Sequence, residues 1–299
     1  MCYIKSMNML IINLIQKNTA FLKKLFAVIL YMIPACICIS CTPAPEASTG
    51  FLHEYGVFLN LSPETAGYEA KLANYHTVVI DAQYFSKDEI KGLKDKDHIV
   101  YSYLNIGSIE NFRNYFNEYK SLILSNYENW DEEYWINVSD PVWKDFITDR
   151  LAPSLLEKGV DGLFIDNVDI YYQYRSEEIY NSVTDILKRL KSKSPNIIIN
   201  GGDTFISRYI DEKKQPADIL SGINQETVFT AIDFEKGSFR PADIETQEYF
   251  TDYLKKARKQ NIDIFLLEYT NDDKLRDEIK HYCDINGYLY YISSSIELN

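Results

Sequence analysis

The 299-residue chain is poor in the residues that most often announce a mechanism: it has five cysteines, four histidines and twelve glycines. Cys2, Cys36, Cys38 and Cys41 crowd into the first 41 residues, and only Cys283 lies beyond them. A disulfide framework is therefore excluded for the bulk of the chain. His53, His76, His98 and His281 are scattered, with no His-x-x-His and no cysteine cluster, which argues against a zinc centre. No Gly-x-Ser-x-Gly elbow marks a serine hydrolase, and no Gly-rich phosphate loop marks a nucleotide-binding sheet. Basic residues are also in deficit: 31 Lys and Arg face 44 Asp and Glu, for a formal net charge of −13. Nucleic acid demands stripes of Lys and Arg, so no nucleic-acid partner is expected. An acidic surface suits a cationic substrate, and it also serves plain solubility.

The first forty residues differ from everything after them. They hold Lys5, Lys17, Lys23 and Lys24 and no acid, and an almost unbroken apolar run spans Leu25 to Ile39. A basic head, an apolar middle and a small residue before the end form a secretory signal. The run is shorter than the roughly 18 apolar residues of a comfortable membrane span. Ser40-Cys41 and the small, Pro-rich stretch behind it resemble a bacterial lipobox and tether, with Cys38 departing from the usual Leu. The expectation is a lipoprotein-type signal over residues 1–40, lipidation at Cys41 and a tether over 41–50. The product would be an exported, monomeric protein held to the membrane of the cell envelope or cell surface by its lipid. A plain cleaved signal or a membrane anchor is the competing reading.

From Phe51 to Asn299 no linker or low-complexity segment intervenes, and the length suits one (β/α)8 TIM barrel. Short apolar runs alternate with amphipathic stretches, the pattern of βα units around a parallel sheet. Eight strands are expected at Gly56–Asn60, Thr77–Asp81, Ile99–Ile106, Gly162–Asp166, Ile197–Asn200, Ile219–Asn224, Ile262–Glu268 and Tyr288–Ile292. Ser86, Asp140-Pro141 and Ser176 read as helix starts and Gly159 as a stop. After Asp140, Val142, Phe146, Leu151 and Leu155 are expected on the buried face.

In such a barrel the working groups project from the C-terminal strand ends. The ends carry Asp81, then Asn105 with Glu110, then Asp166 and Asp169. Asn200, Glu226 and Glu268-Tyr269 follow. Capping explains any one acid, but a ring of unpaired acids is costly without a task. The 24 tyrosines matter too, because aromatic rings stack on sugar faces as readily as they fill cores. Tyr103, Tyr171, Tyr172 and Tyr269 are candidate platforms. Asp81, Asp166 and Asp169 would also make a magnesium site, although phosphate chemistry would want more basic neighbours than Arg113 and Arg175.

Particular residues then become recognisable. Tyr103-Leu104-Asn105-Ile106-Gly107 leading to Glu110 and Arg113, the Trp135 segment before Asp140-Pro141, Gly162 to Asp169, and Asn224-Gln225-Glu226 together resemble glycoside hydrolase family 114. That is the endo-α-1,4-polygalactosaminidase-like family, and the resemblance runs from about Gly56 to Ser293. It implies a (β/α)8 barrel cleaving galactosamine-rich polysaccharide, with catalytic acids at Asp166 and Glu226 and no cofactor or metal. Asp81, Tyr103, Asn105, Glu110, Asp169, Asn200, Glu268 and Tyr269 are the expected substrate-binding set. Thr227-Val228-Phe229 replaces a Cys-containing segment of other members, so the chain resembles a divergent bacterial branch. A glycosidic bond needs one proton donor and one carboxylate, which two acids supply. The alternative is a non-catalytic, glycan-binding surface lipoprotein built on the same cleft.

Overall fold

The computed structural model describes residues 50–299; the expected signal and Cys41 lie outside the described residues. Eight strands run parallel: β1 (His53–Phe58), β2 (Tyr75–Ile80), β3 (Ile99–Asn105), β4 (Gly162–Asp166), β5 (Ile197–Asn200), β6 (Gly222–Glu226), β7 (Asp263–Tyr269) and β8 (Leu289–Ser293). They hydrogen-bond in sequence order from β1 to β8. The two edges approach one another, with Phe58 and Tyr291 at a ring-centroid distance of 5.3 Å. The Asn60 N–H also donates to the Leu298 carbonyl at 3.2 Å. The result is a nearly closed (β/α)8 barrel.

Between the strands lie α1 (Tyr68–Leu72), α2 (Lys87–Lys94), α3 (residues 141–156), α4 (Glu177–Lys193), α5 (Asp203–Asp211), α6 (Ile244–Arg258) and α7 (Asp273–Asn286). Ser86 closes a full capping box with Glu89. Asp140 caps α3 by accepting from the Val142 N–H at 2.8 Å, with Pro141 in the first turn. The expected stripe of α3 is wrong at one point, since Val142 is exposed while Trp143, Phe146, Ile147, Leu151 and Leu155 are buried. A π-helical turn over Phe146–Leu151 shifts the phase. Pro153 has no N–H for the carbonyl four residues before it, and a widened turn accommodates that.

Strand side chains alternate between two cores. Tyr55, Val57, Val79, Tyr103, Phe164, Ile198, Phe265, Leu267 and Tyr269 fill the barrel. Val78, Ile80, Leu104, Leu163, Ile165, Ile199 and Leu266 face the helices. The sixth strand starts later than expected, at Gly222 rather than Ile219, and this matters for the site. Glu226, two residues past the expected end of that strand at Asn224, is the last rung of β6, paired with Leu267 of β7.

Two additions follow strand ends on the same side of the barrel. After β3 comes a three-stranded antiparallel sheet of Ser108–Glu110, Ile123–Asn126 and Glu133–Ile136, with Glu133–Ile136 in the middle. After β6 comes a hairpin of Thr230–Asp233 and Ser238–Pro241.

Candidate active site

The alternation of the strands decides which end groups reach the mouth. Asp166 shares the inward parity of Phe164, Asn200 that of Ile198, and Tyr269 that of Leu267. Glu226 shares the parity of Asn224, whose amide oxygen accepts from the inward-facing Tyr55 hydroxyl at 2.9 Å.

One side-chain amide joins the two expected catalytic acids. Asn200 Nδ2 donates to Asp166 Oδ1 at 3.0 Å and to Glu226 Oε1 at 2.7 Å. Two such bonds to one nitrogen hold the nearest oxygens of the two carboxyls within about 6 Å of each other. The orientation of that amide is itself prescribed. Asn200 Oδ1 accepts from Asn224 Nδ2 at 2.6 Å, and Asn224 is oriented by Tyr55. A phenol that donates to one amide oxygen turns both amides, so the Asn200 NH2 must face the acids. Tyr55 and Asn224 are fully buried. Asn224 belongs to the Asn224-Gln225-Glu226 segment of the resemblance, whereas nothing local distinguishes Tyr55 from other barrel residues.

The remaining oxygens of the pair are also held. Tyr103 donates to Asp166 Oδ2 at 3.0 Å, and Tyr269 donates to Glu226 Oε2 at 2.8 Å. Burial pushes both carboxyls above their usual range. For Asp166 the bonds from Asn200, Tyr103 and the Asn167 backbone oppose it. For Glu226 the Asp166 charge adds to burial, eased by Asn200 and Tyr269. The two carboxyls are close enough that the charge on Asp166 disfavours ionisation of Glu226.

Asp81 and Glu110 have a different environment. Arg113 grips Glu110 with Nε at 3.1 Å and Nη2 at 2.8 Å, and reaches Asp81 with Nη1 at 2.6 Å. All three are buried. The second oxygen of Asp81 caps the Gln83 N–H at 3.0 Å. Both acids thus act through Arg113, whose guanidinium lies against the Tyr84, Phe112 and Tyr103 rings.

Glu268 corrects the sequence expectation outright. It lies one residue from Leu267 and Tyr269, so the strand turns it away from the barrel interior. It is fully buried, and its oxygens accept from the Val228, Phe229 and Thr230 N–H groups at 2.9, 3.0 and 3.0 Å and from the Thr230 hydroxyl at 2.5 Å. It clamps the loop after β6 and presents nothing to a sugar, although burial still pushes it up to about 7. Tyr171 is likewise a core residue, packed on Tyr180 and Phe205 and holding Arg208. Tyr172 is exposed. Asp169 accepts from the Gly202 N–H at 3.0 Å; burial and the neighbouring Asp203 raise it to about 7.

A further acid, absent from the strand-end set, enters from the inserted sheet. Glu133 Oε1 accepts from Asn105 Nδ2 at 3.0 Å, from Asn167 Nδ2 at 2.8 Å and from the Ser108 hydroxyl. Asn167 is reached because Gly107 leaves room: a Cβ there would meet the Asn167 carbonyl oxygen at 1.9 Å. Burial first, then Glu110 and Asp166, raise Glu133 to about 7 against the Ser108 and Asn105 bonds.

Exposed aromatics ring this mouth. Tyr84, Phe112, Trp130 and Phe234 each present about half their surface, and Trp130 meets Phe234 edge-on at 6.2 Å. That contact joins the addition after β3 to the hairpin after β6.

The model of glycoside-hydrolase family GH114 matches residues 59–293. The chain belongs to that family. As a GH114 protein it is a glycoside hydrolase, and solved structures agree on the fold. The glycoside hydrolase domain of PelA from Pseudomonas aeruginosa is 18% identical with a TM-score of 0.67, over 82% of this chain and 95% of that one. Ega3 of Aspergillus fumigatus, solved with galactosamine, is 18% identical with a TM-score of 0.61, over 84% and 93%. An uncharacterized Thermotoga maritima protein is 23% identical over 190 residues, and this chain spans about half of its length, 55%. MJ1477 of Methanocaldococcus jannaschii, also uncharacterized, is 23% identical over 258 residues, covering 75% of this chain and 71% of that one.

Proposed function

We propose that this GH114 chain cleaves α-linked galactosamine-type polysaccharide at internal bonds, with retention of anomeric configuration. Asp166 is the nucleophile and Glu226 the acid/base. The observation that carries the reading is the shared Asn200 amide. Retention calls for carboxyls about 5–5.5 Å apart and inversion for roughly 6.5–9.5 Å. Two bonds meeting at one nitrogen favour the shorter spacing.

In this reading the two carboxyls divide the work. Ionised Asp166 attacks the anomeric carbon while protonated Glu226 gives its proton to the departing glycosidic oxygen. The Asp166–sugar ester is then broken by water, whose proton returns to Glu226. Tyr103 and Asn200 favour the Asp166 anion as leaving group in that second step, because both donate to it. The galactosamine assignment draws on the Aspergillus relative and on the net charge of −13.

Proton NMR of the first product formed from a galactosamine oligomer is the direct test. Initial α-anomer supports retention, and initial β-anomer refutes the Asp166 assignment. Internal cleavage predicts a spread of early product lengths; a single short product would contradict it. The salt dependence is informative as well. Turnover of cationic polymer should fall as salt shortens the reach of surface charge to about 8 Å. For location, we propose lipid anchoring through Cys41. A full-length Cys41→Ala protein should leave the membrane fraction or remain unprocessed, and wild-type behaviour would remove the anchor.

A further inference from the structure

Glu133 combines an unusual set of features. Its Oε1 takes three donors, and its Oε2 accepts from none of the described residues. The donors are pre-aimed. Asn105 Oδ1 is engaged by the Ser108 N–H at 3.0 Å, and Asn167 Oδ1 by the Tyr127 hydroxyl at 3.0 Å. Each amide therefore has its NH2 turned to Glu133. Asn167 is also held in a left-handed conformation at φ 60, directly beside Asp166 in the chain. All three donors are neutral. Arg113 is already gripped by Glu110 and Asp81. Among the described residues neither Asp166, Glu226 nor Glu133 has a Lys or Arg partner, so three carboxyls share a mouth without a counter-charge.

A half-buried carboxyl with one oxygen fixed and the other free is built to accept from something that arrives. We propose that Glu133 is a specificity-determining residue, its free Oε2 accepting from the ammonium of the amino sugar seated against Asp166. The inference rests on the glycosidase reading above and sharpens it: the sugar in that position carries a free amine. An acetamido group is neutral and bulkier, and offers one N–H where the ammonium offers three. It would leave the carboxyl without a counter-charge. Phosphate or carboxylate sugars are excluded by like charge.

The test compares matched oligomers of galactosamine and N-acetylgalactosamine. In Glu133→Gln the amide oxygen can keep the three donors while an NH2 replaces the free acceptor oxygen. The ratio of kcat/KM, free amine over acetylated, should fall about ten- to a hundred-fold. An unchanged ratio, with both rates lowered alike, would overturn the assignment and leave Glu133 as a support for Asp166. Should the variant fail to fold, inhibition of the wild type decides. Galactosamine must then inhibit more strongly than its N-acetyl form at equal ionic strength, and equal inhibition refutes the proposal. If the wild type cleaves neither oligomer, the glycosidase reading fails instead, whatever Glu133 does.

Discussion

Two halves of the barrel mouth hold their acids in opposite ways. On the β2–β3 side, Asp81 and Glu110 close on Arg113, with bonds of 2.6 to 3.1 Å that use the guanidinium fork in full. On the β4–β6 side, Asp166 and Glu226 meet only neutral donors: two tyrosine hydroxyls, one asparagine amide and the Asn167 backbone. A guanidinium neutralises a buried carboxylate permanently and leaves it nothing to do but hold position. Neutral donors orient a carboxylate while leaving its charge and its proton available. Where a mouth contains both arrangements, the acids without a cation are the ones free for chemistry.

That comparison breaks most visibly under substitution of the uncompensated pair. Asp166→Asn should abolish product formation. Glu226→Gln should cost about 10²–10⁴-fold, least with an activated leaving group. Steady-state rates on aryl and natural glycosides separate the two, and an Asp166→Asn protein rescued by the good leaving group would reverse the roles. Next in size is the compensated pair. Arg113→Met leaves two buried carboxyls unpaired and should lower stability by about 3–5 kcal/mol, read by chemical denaturation. A neutral effect there would mean that the ion triad contributes nothing and that the contrast is misdrawn. Asn200→Ala removes the shared donor and should lower kcat about ten- to a hundred-fold with little loss of stability. A changed denaturation midpoint with unchanged kcat would instead make Asn200 a packing residue.

The last effect concerns protons rather than substitutions, and it changes stability without changing the chemistry. Glu133, Asp169 and Glu268 are each raised to about 7, burial being the largest cause in every case. The unfolded chain releases these protons near pH 4, whereas the folded chain keeps them until about pH 7. Between those values the folded state binds more protons, so stability falls as pH rises and levels off above 7. Fully buried Glu268 alone should account for a fall on the order of 3 kcal/mol across that window. Melting temperature should therefore be higher at pH 5 than at pH 8. Glu268→Gln should flatten the profile, and a profile that rises with pH would contradict the burial argument.

Much of this mouth is legible along the chain because strand ends are local features. Apolar runs ending in Asp166, Asn200 and Glu226 mark both the sheet and its working edge. Two kinds of residue escape such a reading. Glu133 sits on an inserted strand reading Glu-Tyr-Trp-Ile, without the apolar run that flags a barrel strand, and meets Asn105 and Asn167 only once the insert folds back. Tyr55 carries no local signal, and its partner Asn224, 169 positions away, meets it only across the closed barrel.

Glu268 and Tyr269 draw the boundary most sharply. The sequence determines that an acid and a tyrosine close the seventh apolar run, and the period of a strand dictates that only one of them faces inward. Which one, and what waits on the other side, is decided by packing. Tyr269 meets Glu226 across the mouth, and Glu268 meets three backbone N–H groups of a loop about forty residues earlier in the chain. Local sequence determined the fold, the ends of its strands and the acids placed there. Tertiary structure decided which acids a cation neutralises, which the loops consume and which two share one amide. Hydrogen-bond partners that lie far apart in the chain come within 3 Å of one another only after the barrel has formed.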